Sequence, residues 1–137
     1  MIEKEILEKV TSQILEKKQP ILQTGFSDLD SILSGLENSS IITIGARPSM
    51  GKTAFITAIM LNLLEQKKKC LLFSLEMSKS QFIKRLIPPI TEIEATKIYA
   101  NQNQLNSQEN NEITSAIEKI SNFDLTIVDT SADIEQI

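Results

Sequence analysis

The 137-residue chain is 41% hydrophobic and 23% charged, proportions that are usual for one soluble globular domain with its own core. Its formal net charge of −4 argues against a strongly basic nucleic-acid-binding domain. The absence of histidine excludes a histidine general base and a histidine metal site within this sequence. With one cysteine, Cys70, no internal disulfide can form, so we expect a reduced, cytoplasmic protein. No apolar run approaches the roughly 18 residues that suggest a membrane span.

The first segment, residues 2–18, has the spacing of an amphipathic helix that ends at Gln19-Pro20. Its apolar stripe could pack on its own domain or dock on a neighbouring subunit, and the spacing leaves both interpretations open. We assign residues 1–19 to a linker or docking helix and residues 20–137 to the main domain. The stripe consists of Ile2, Ile6, Leu7, Val10 and Ile14.

A second, short helix is predicted at the segment Thr24-Gly25-Phe26-Ser27-Asp28-Leu29-Asp30. Ser27 is the expected N-cap, with Asp30 at the third helical position in a variant of the capping box. Gly35 is the expected stop signal, because glycine readily adopts the left-handed backbone that follows a helix end.

Residues 41–53 predict a buried strand, a phosphate-binding loop and the first turn of a helix. Backbone N–H groups at the helix start would bind phosphate. The Lys52 ammonium would reach the β- and γ-phosphates of ATP, and the Thr53 hydroxyl would coordinate Mg²⁺. The strict pattern has glycine where this chain has Ala46, and the alternative is a Gly-Lys-Thr turn at an ordinary helix start. The expected nucleotide-binding residues are Ala46, Arg47, Pro48, Ser49, Met50, Gly51, Lys52 and Thr53.

An apolar helix at about residues 52–66 and a strand at residues 70–75 are predicted next. A strand, a helix and a strand in this order make the two strands parallel, with a right-handed crossover. Ligands bind at the carboxyl ends of such strands, so Glu76 would face the phosphate loop. There its carboxylate would orient and deprotonate the water that attacks the γ-phosphate. Glu76 could also simply end the strand or pair with Lys52, and its position leaves this open.

A capping box of Ser78 and Gln81 predicts the start of the following helix. Pro88-Pro89 is expected to break that helix, because proline lacks the N–H that the helix ladder needs. Arg85 lies off the buried face of this helix, and we expect a solvated side chain there rather than a phosphate contact.

The last part of the sequence predicts a polar connection at residues 101–111, a helix capped by Ser107, and a strand at residues 123–128. This strand ends in Asp129. An apolar strand that ends in aspartate has the pattern of a Walker B element, whose carboxylate binds Mg²⁺ through water. Many parallel strands end in aspartate before a turn, so Asp129 could also simply end its strand.

Together these segments resemble the RecA-like ATPase domain of the replicative DNA helicases of the DnaB family. The similarity covers residues 20–130 and implies an α/β fold, a P-loop NTPase with a mostly parallel sheet flanked by helices, incomplete in this chain. It rests on residues 24–30, on Ala46-Arg47-Pro48-Ser49-Met50-Gly51-Lys52-Thr53, on Phe73-Ser74-Leu75-Glu76-Met77 and on Thr96-Lys97-Ile98.

The same resemblance implies a function. Proteins of this family form hexameric rings that move along single-stranded DNA, interact with primase and hydrolyse ATP at subunit interfaces. Lys52 and Thr53 then match the nucleotide and Mg²⁺ ligands, and Glu76 matches the catalytic glutamate. The first helix matches a linker helix that docks on the adjacent subunit, and Asp129 matches a strand that precedes the true Walker B strand.

The chain also departs from the family. Residues 99–105 lack the Arg and Gly that usually follow Thr-Lys-Ile, and the family's Walker B strand, arginine finger and DNA-binding loops lie beyond Ile137. We therefore expect the nucleotide-binding portion of a DnaB-type helicase, with little hydrolysis by the chain alone. One alternative is an interaction module that docks through its first helix. The other is a small stand-alone ATPase with Asp129 as its Walker B residue.

Overall fold

A computed structural model describes residues 3–15, 22–100 and 105–129, and the predictions for other residues lie outside this part of the chain. The chain divides into two compact units, Met1–Ile42 and Thr43–Ile137. No helix among the described residues is long and apolar enough to span a membrane. The described helices and strands are α1 (Lys4–Leu15), α2 (Ser27–Leu33), α3 (Lys52–Glu65), β1 (Cys70–Phe73), α4 (Lys79–Thr91), α5 (Ala95–Ala100), α6 (Ser107–Ser121) and β2 (Leu125–Val128).

In the first unit, α2 is tied to the chain that precedes it by the Asp30 carboxylate. This group accepts hydrogen bonds from the Thr24 N–H and hydroxyl, both at 2.8 Å, and from the Gly25 N–H at 3.1 Å. The N-cap is Phe26 and Ser27 is the first helical residue, so the prediction that Ser27 caps the helix was wrong. The side chain of Asp30 instead reaches back past the helix start and binds the chain before it, and no side chain in the described part of the chain caps the first turn of α2.

The end of α2 follows the prediction. Ser34 and Gly35 both have left-handed backbone, with φ of 57° and 83°. The Gly35 N–H donates to the Asp30 carbonyl at 3.1 Å, which satisfies one of the free acceptors at the helix end.

The second unit is built on a parallel pair of strands. Strands β1 and β2 pair in register from Cys70 opposite Leu125 to Phe73 opposite Val128, which agrees with the predicted strands at residues 70–75 and 123–128. The Leu72 side chain packs against the core, whereas Leu71 and Phe73, on the other face of β1, are about half exposed.

The core of this unit lies among α3, α4 and α6. Phe82 and Leu86 of α4 are its most deeply buried side chains, at 1% and 0% exposure. The end of β2 lies at the start of α4, since Asp129 accepts from the Lys79 N–H, and Glu76, which follows β1, lines one pocket with Lys52 at the start of α3. The cluster consists of Leu61, Phe82, Leu86, Ile87, Ala116 and Ile120.

The segment before the phosphate loop is not a strand. Residues 41–47 have no regular secondary structure, and Ile41 is 96% exposed, so the predicted buried strand, parallel to the strand at residues 70–75, was wrong. A strand needs a neighbour to pair its N–H and C=O groups. Within the described residues β1 pairs only with β2, and neither strand pairs with residues 41–44.

Helix α4 begins as predicted but does not end as predicted. The Ser78 hydroxyl accepts from the Gln81 N–H at 3.3 Å, and the Gln81 side chain accepts from the Ser78 N–H at 2.9 Å. The helix then continues through Pro88-Pro89 to Thr91. The expected break is absent, and the Lys84 carbonyl, which Pro88 leaves without its helical donor, accepts from the Tyr99 hydroxyl at 2.6 Å.

Helix α6 has its cap one residue earlier than predicted. The Asn106 side chain accepts from the Glu109 N–H at 2.8 Å, and Glu109 accepts from the Asn106 N–H at 2.8 Å, whereas Ser107 is the first helical residue. Glu109 also forms an ion pair with Lys97 of α5. The Lys97 hydrogen bond is the largest of the effects that lower the pKa of Glu109 below its ordinary value.

Candidate functional site

The loop before α3 leaves the helix start open to a ligand. Gly51 is the N-cap and has left-handed backbone with φ of 86°, a conformation that glycine adopts without strain. No side chain of the described residues caps this end of α3. The N–H groups of its first turn therefore remain available to an anion, which the helix dipole also favours.

The loop lines a pocket of about 510 Å³. The pocket contains seven of the eight residues that were predicted to bind nucleotide, together with Glu76 from the turn after β1. Met50 does not line it, and the Met50 side chain is 73% exposed. The structure thus brings the phosphate loop and the candidate general base to one cavity. The lining residues are Ala46, Arg47, Pro48, Ser49, Gly51, Lys52, Thr53, Glu76 and Arg85.

The charges around this pocket favour an anion. Three cationic side chains, Arg47, Lys52 and Arg85, and one carboxylate, Glu76, line it. The pocket is therefore net positive although the whole chain has a net charge of −4. None of the ion pairs in residues 3–15, 22–100 and 105–129 joins Glu76 to Lys52. Both charges remain available to a ligand.

Arg85 also lines this pocket. It lies on α4, which starts just after the Glu76 turn, and its position off the buried face had favoured a solvated side chain over a phosphate contact. The side chain is exposed, and it is so at the rim of the pocket. Its position four residues after Gln81 places both side chains on one helix face, but no local pattern indicates that this face lies beside the phosphate loop. This face also lines a second, mostly apolar pocket of about 660 Å³ that shares Glu76 and Arg85 with the first pocket.

Asp129 lies elsewhere. Its carboxylate accepts from the Lys79 N–H at 2.7 Å, and its second oxygen is 3.9 Å from the Lys79 ammonium. Asp129 is not among the residues that line the phosphate pocket. Within the described residues no three His, Cys, Asp or Glu side chains come together as a metal site. Mg²⁺ binding by Asp129 stays a prediction.

Comparison with known proteins decides the family. Residues 22–137 match the model of the DnaB-like helicase C terminal domain. The chain belongs to this family. Its α/β P-loop fold, with helices and a small parallel sheet, agrees with solved ATPase domains of helicases, which confirms the resemblance and the fold class that the sequence predicted.

Two curated relatives show how much of a family member the chain represents. The "Replicative DNA helicase DnaB" of Haemophilus influenzae is 38% identical over 112 residues, which cover 81% of this chain and 24% of that protein. The "Probable replicative DNA helicase" of Guillardia theta is 49% identical over 76 residues, which cover 55% of this chain and 13% of that protein. The chain thus corresponds to a quarter or less of the length of these relatives.

Two solved structures resemble the fold closely. One, described as an ATPase domain, superposes with a TM-score of 0.82 at 36% sequence identity, covering 93% of this chain and 45% of that one. The other is described as "The Structure Of A DnaB-Like Replicative Helicase And Its Interactions With Primase". It also gives a TM-score of 0.82, at 34% identity, covering 96% of this chain and 32% of that one.

Proposed function

We propose that this chain is the nucleotide-binding portion of a DnaB-type replicative DNA helicase and that its phosphate pocket binds ATP with Mg²⁺. The observation that carries the proposal is that the loop at residues 46–53 and Glu76 line the same cavity. A phosphate loop alone would serve many ligands. A carboxylate beside it supplies the general base that hydrolysis of the γ-phosphate requires.

Each pocket residue has a distinct role in this proposal. Lys52 binds the β- and γ-phosphates, and the hydroxyl of Thr53 coordinates Mg²⁺. Glu76 orients the attacking water and accepts its proton. Arg85 adds a fork of N–H donors that suits phosphate oxygens. The first turn of α3 contributes backbone N–H groups to the phosphates.

The larger assembly is also a proposal. In it the domain acts within a hexameric ring that unwinds duplex DNA, with single-stranded DNA and primase as partners. Support comes from membership of the DnaB-like helicase family and from a solved relative that is described with its primase interactions. A cytoplasmic location stays a prediction.

A nucleotide titration of the chain tests the proposed pocket. Lys52→Ala should weaken ATP binding by roughly ten- to hundredfold, because a hydrogen bond to a charged group contributes about 1.5–3 kcal/mol. Lys68→Ala is the matched control, since Lys68 is exposed and lines neither described pocket beside the loop. Equal ATP affinities of the Lys52 and Lys68 variants would remove Lys52 from the site and contradict the proposal.

A second candidate function is an interaction module that docks on helicase subunits through α1. The observation that favours it is the exposed apolar side of α1, where Ile6 and Leu7 are each 51% exposed and Val10 is 44% exposed. Removal of residues 1–18 should then abolish co-assembly with a full-length helicase in size-exclusion chromatography. Retained co-assembly would count against docking through α1 and would leave the nucleotide pocket as the function of the chain.

The stand-alone ATPase with Asp129 as its Walker B residue finds less support. Its key carboxylate is engaged with the Lys79 N–H and does not line the phosphate pocket. The position of Asp129 instead suggests a different role.

A further inference from the structure

The turn that carries Glu76 is anchored at its start by Ser74. The Ser74 N–H donates to the Val128 carbonyl at 2.8 Å, which continues the pairing of β1 with β2 by one residue. The Ser74 hydroxyl then bridges the turn, because it donates to the Met77 carbonyl at 2.6 Å and accepts from the Met77 N–H at 3.1 Å. Ser74 is only 7% exposed, so water has little access to compete for these bonds.

The other end of the turn is anchored by Asp129. Its carboxylate accepts from the N–H of Lys79 at 2.7 Å, and Lys79 is the first residue of α4. Asp129 directly follows β2, as Val128 is the last residue of that strand. Both ends of the turn are therefore fixed to the end of β2, one through Val128 and one through Asp129.

We propose that Ser74 and Asp129 are positioning residues that together hold the Glu76 carboxylate at the phosphate pocket. This inference rests on the proposed nucleotide-binding function. Glu76 is exposed and has no ion-pair partner in the described part of the chain, so the backbone of its turn sets its location. Such a location matters, because a general base must lie within hydrogen-bond reach of its water and a displacement of about 1 Å can cost a hundredfold in rate.

The position of Glu76 can be measured by binding alone, without hydrolysis. A carboxylate held beside the terminal phosphate repels it, so Glu76→Gln should strengthen binding of the non-hydrolysable analogue AMP-PNP, by about fivefold for two charges roughly 4 Å apart in water. ADP lacks the terminal phosphate, and its affinity should change much less. Isothermal titration calorimetry on the full chain with magnesium gives both affinities.

The test repeats the Glu76→Gln substitution in altered backgrounds. With Ser74→Ala or Asp129→Ala the turn loses one anchor, and the Glu76→Gln effect on AMP-PNP affinity should fall below about twofold, since the repulsion weakens as the charges separate. Ser74→Thr keeps a hydroxyl and Asp129→Asn keeps a carbonyl acceptor, so in both backgrounds Glu76→Gln should have its full effect on AMP-PNP affinity. Ser80→Ala is the matched control, because Ser80 is exposed on α4 and lines neither pocket.

Thermal unfolding by circular dichroism identifies any variant that does not fold. If Ser74→Ala does not fold, the test uses the Ser74→Cys and Asp129→Ala variants instead. An undiminished Glu76→Gln effect in the folded variants would overturn the inference, and so would the absence of that effect in the parent chain. An Asp129→Asn variant that loses the magnesium dependence of binding would make Asp129 a metal ligand and overturn its positioning role. A parent chain that binds neither nucleotide would instead refute the proposed function.

Discussion

The Tyr99 hydroxyl donates a 2.6 Å hydrogen bond to the carbonyl oxygen of Lys84. In an uninterrupted helix that carbonyl would bind the N–H of residue 88, but proline has no N–H. Tyr99 supplies the missing donor from α5, and α4 continues to Thr91. Burial raises the pKa of the Tyr99 hydroxyl, although the nearby Arg85 charge opposes this effect, so at neutral pH the hydroxyl keeps the proton that it donates.

Tyr99→Phe should destabilise the chain without changing its fold. The substitution removes only the hydroxyl and leaves the Lys84 carbonyl without this donor, so we expect the free energy of unfolding to fall by about 0.5–1.5 kcal/mol. Urea denaturation followed by circular dichroism measures this change. The pKa of Tyr99 is raised on folding. The stabilisation of the folded chain by the protonated Tyr99 hydroxyl should therefore be complete below a pH of about 10, and it should be lost as the pH rises through the pKa of the folded state.

The control for this prediction restores the backbone donor. In a Pro88→Ala background residue 88 regains its N–H, and the Lys84 carbonyl can be satisfied within α4. Tyr99→Phe should then lower the free energy of unfolding by less than it does in the parent chain. The same cost in both backgrounds would show that the hydroxyl does not compensate for Pro88.

The difference between the Ser78 cap and the Tyr99 bond explains which features of α4 the sequence could predict. Ser78 and Gln81 are three residues apart and satisfy each other directly, so a local pattern is enough to identify the helix start. Tyr99 and Lys84 are 15 residues apart, and their contact exists only because α5 packs on α4. No local pattern contains that information, and proline on its own predicted a break.

The phosphate pocket likewise contains residues whose positions a local pattern predicts and one whose position it does not. The loop at residues 46–53 and Glu76 could be predicted because residue order and spacing determine where they lie relative to a strand and a helix. Arg85 could not, because its place at the pocket depends on the direction in which α4 leaves the Glu76 turn. Residues 41–44 show the reverse case, since their apolar pattern is that of a strand but neither strand of the described chain pairs with them.

Asp30→Asn should destabilise α2 and the segment before it in a pH-dependent manner. Burial would raise the pKa of Asp30, but hydrogen bonds from the Thr24 N–H, the Thr24 hydroxyl and the Gly25 N–H outweigh it and lower the pKa below its ordinary value of 3.8. A carboxyl whose pKa falls on folding stabilises the folded state above its unfolded pKa, and this stability is lost as the pH falls through the folded value.

The measurement is the urea midpoint of the parent chain and the variant at several values of pH. The parent chain should have the higher midpoint near pH 7, and the gap should narrow as the pH falls below about 4. Asp28→Asn is the matched control, since Asp28 is an exposed carboxylate in the first turn of the same helix. A gap for Asp30→Asn that does not change between about pH 7 and about pH 3 would contradict a stabilising role of the charged carboxylate.

Arg85→Met should weaken the binding of ATP, and the neighbouring Lys84 provides a control with the same change in charge. Both residues lie on α4, but only Arg85 lines the phosphate pocket, whereas Lys84 lines only the adjacent apolar pocket. A direct charged hydrogen bond to phosphate contributes enough that Arg85→Met should reduce ATP affinity by about tenfold or more. Lys84→Met should reduce it by less than about threefold, because water and salt screen a charge that touches no phosphate.

Titrations at one fixed ionic strength compare the two variants. Equal losses would mean that Arg85 acts only through its charge, and an unchanged affinity for Arg85→Met would mean that this side chain stays in solvent when ATP binds.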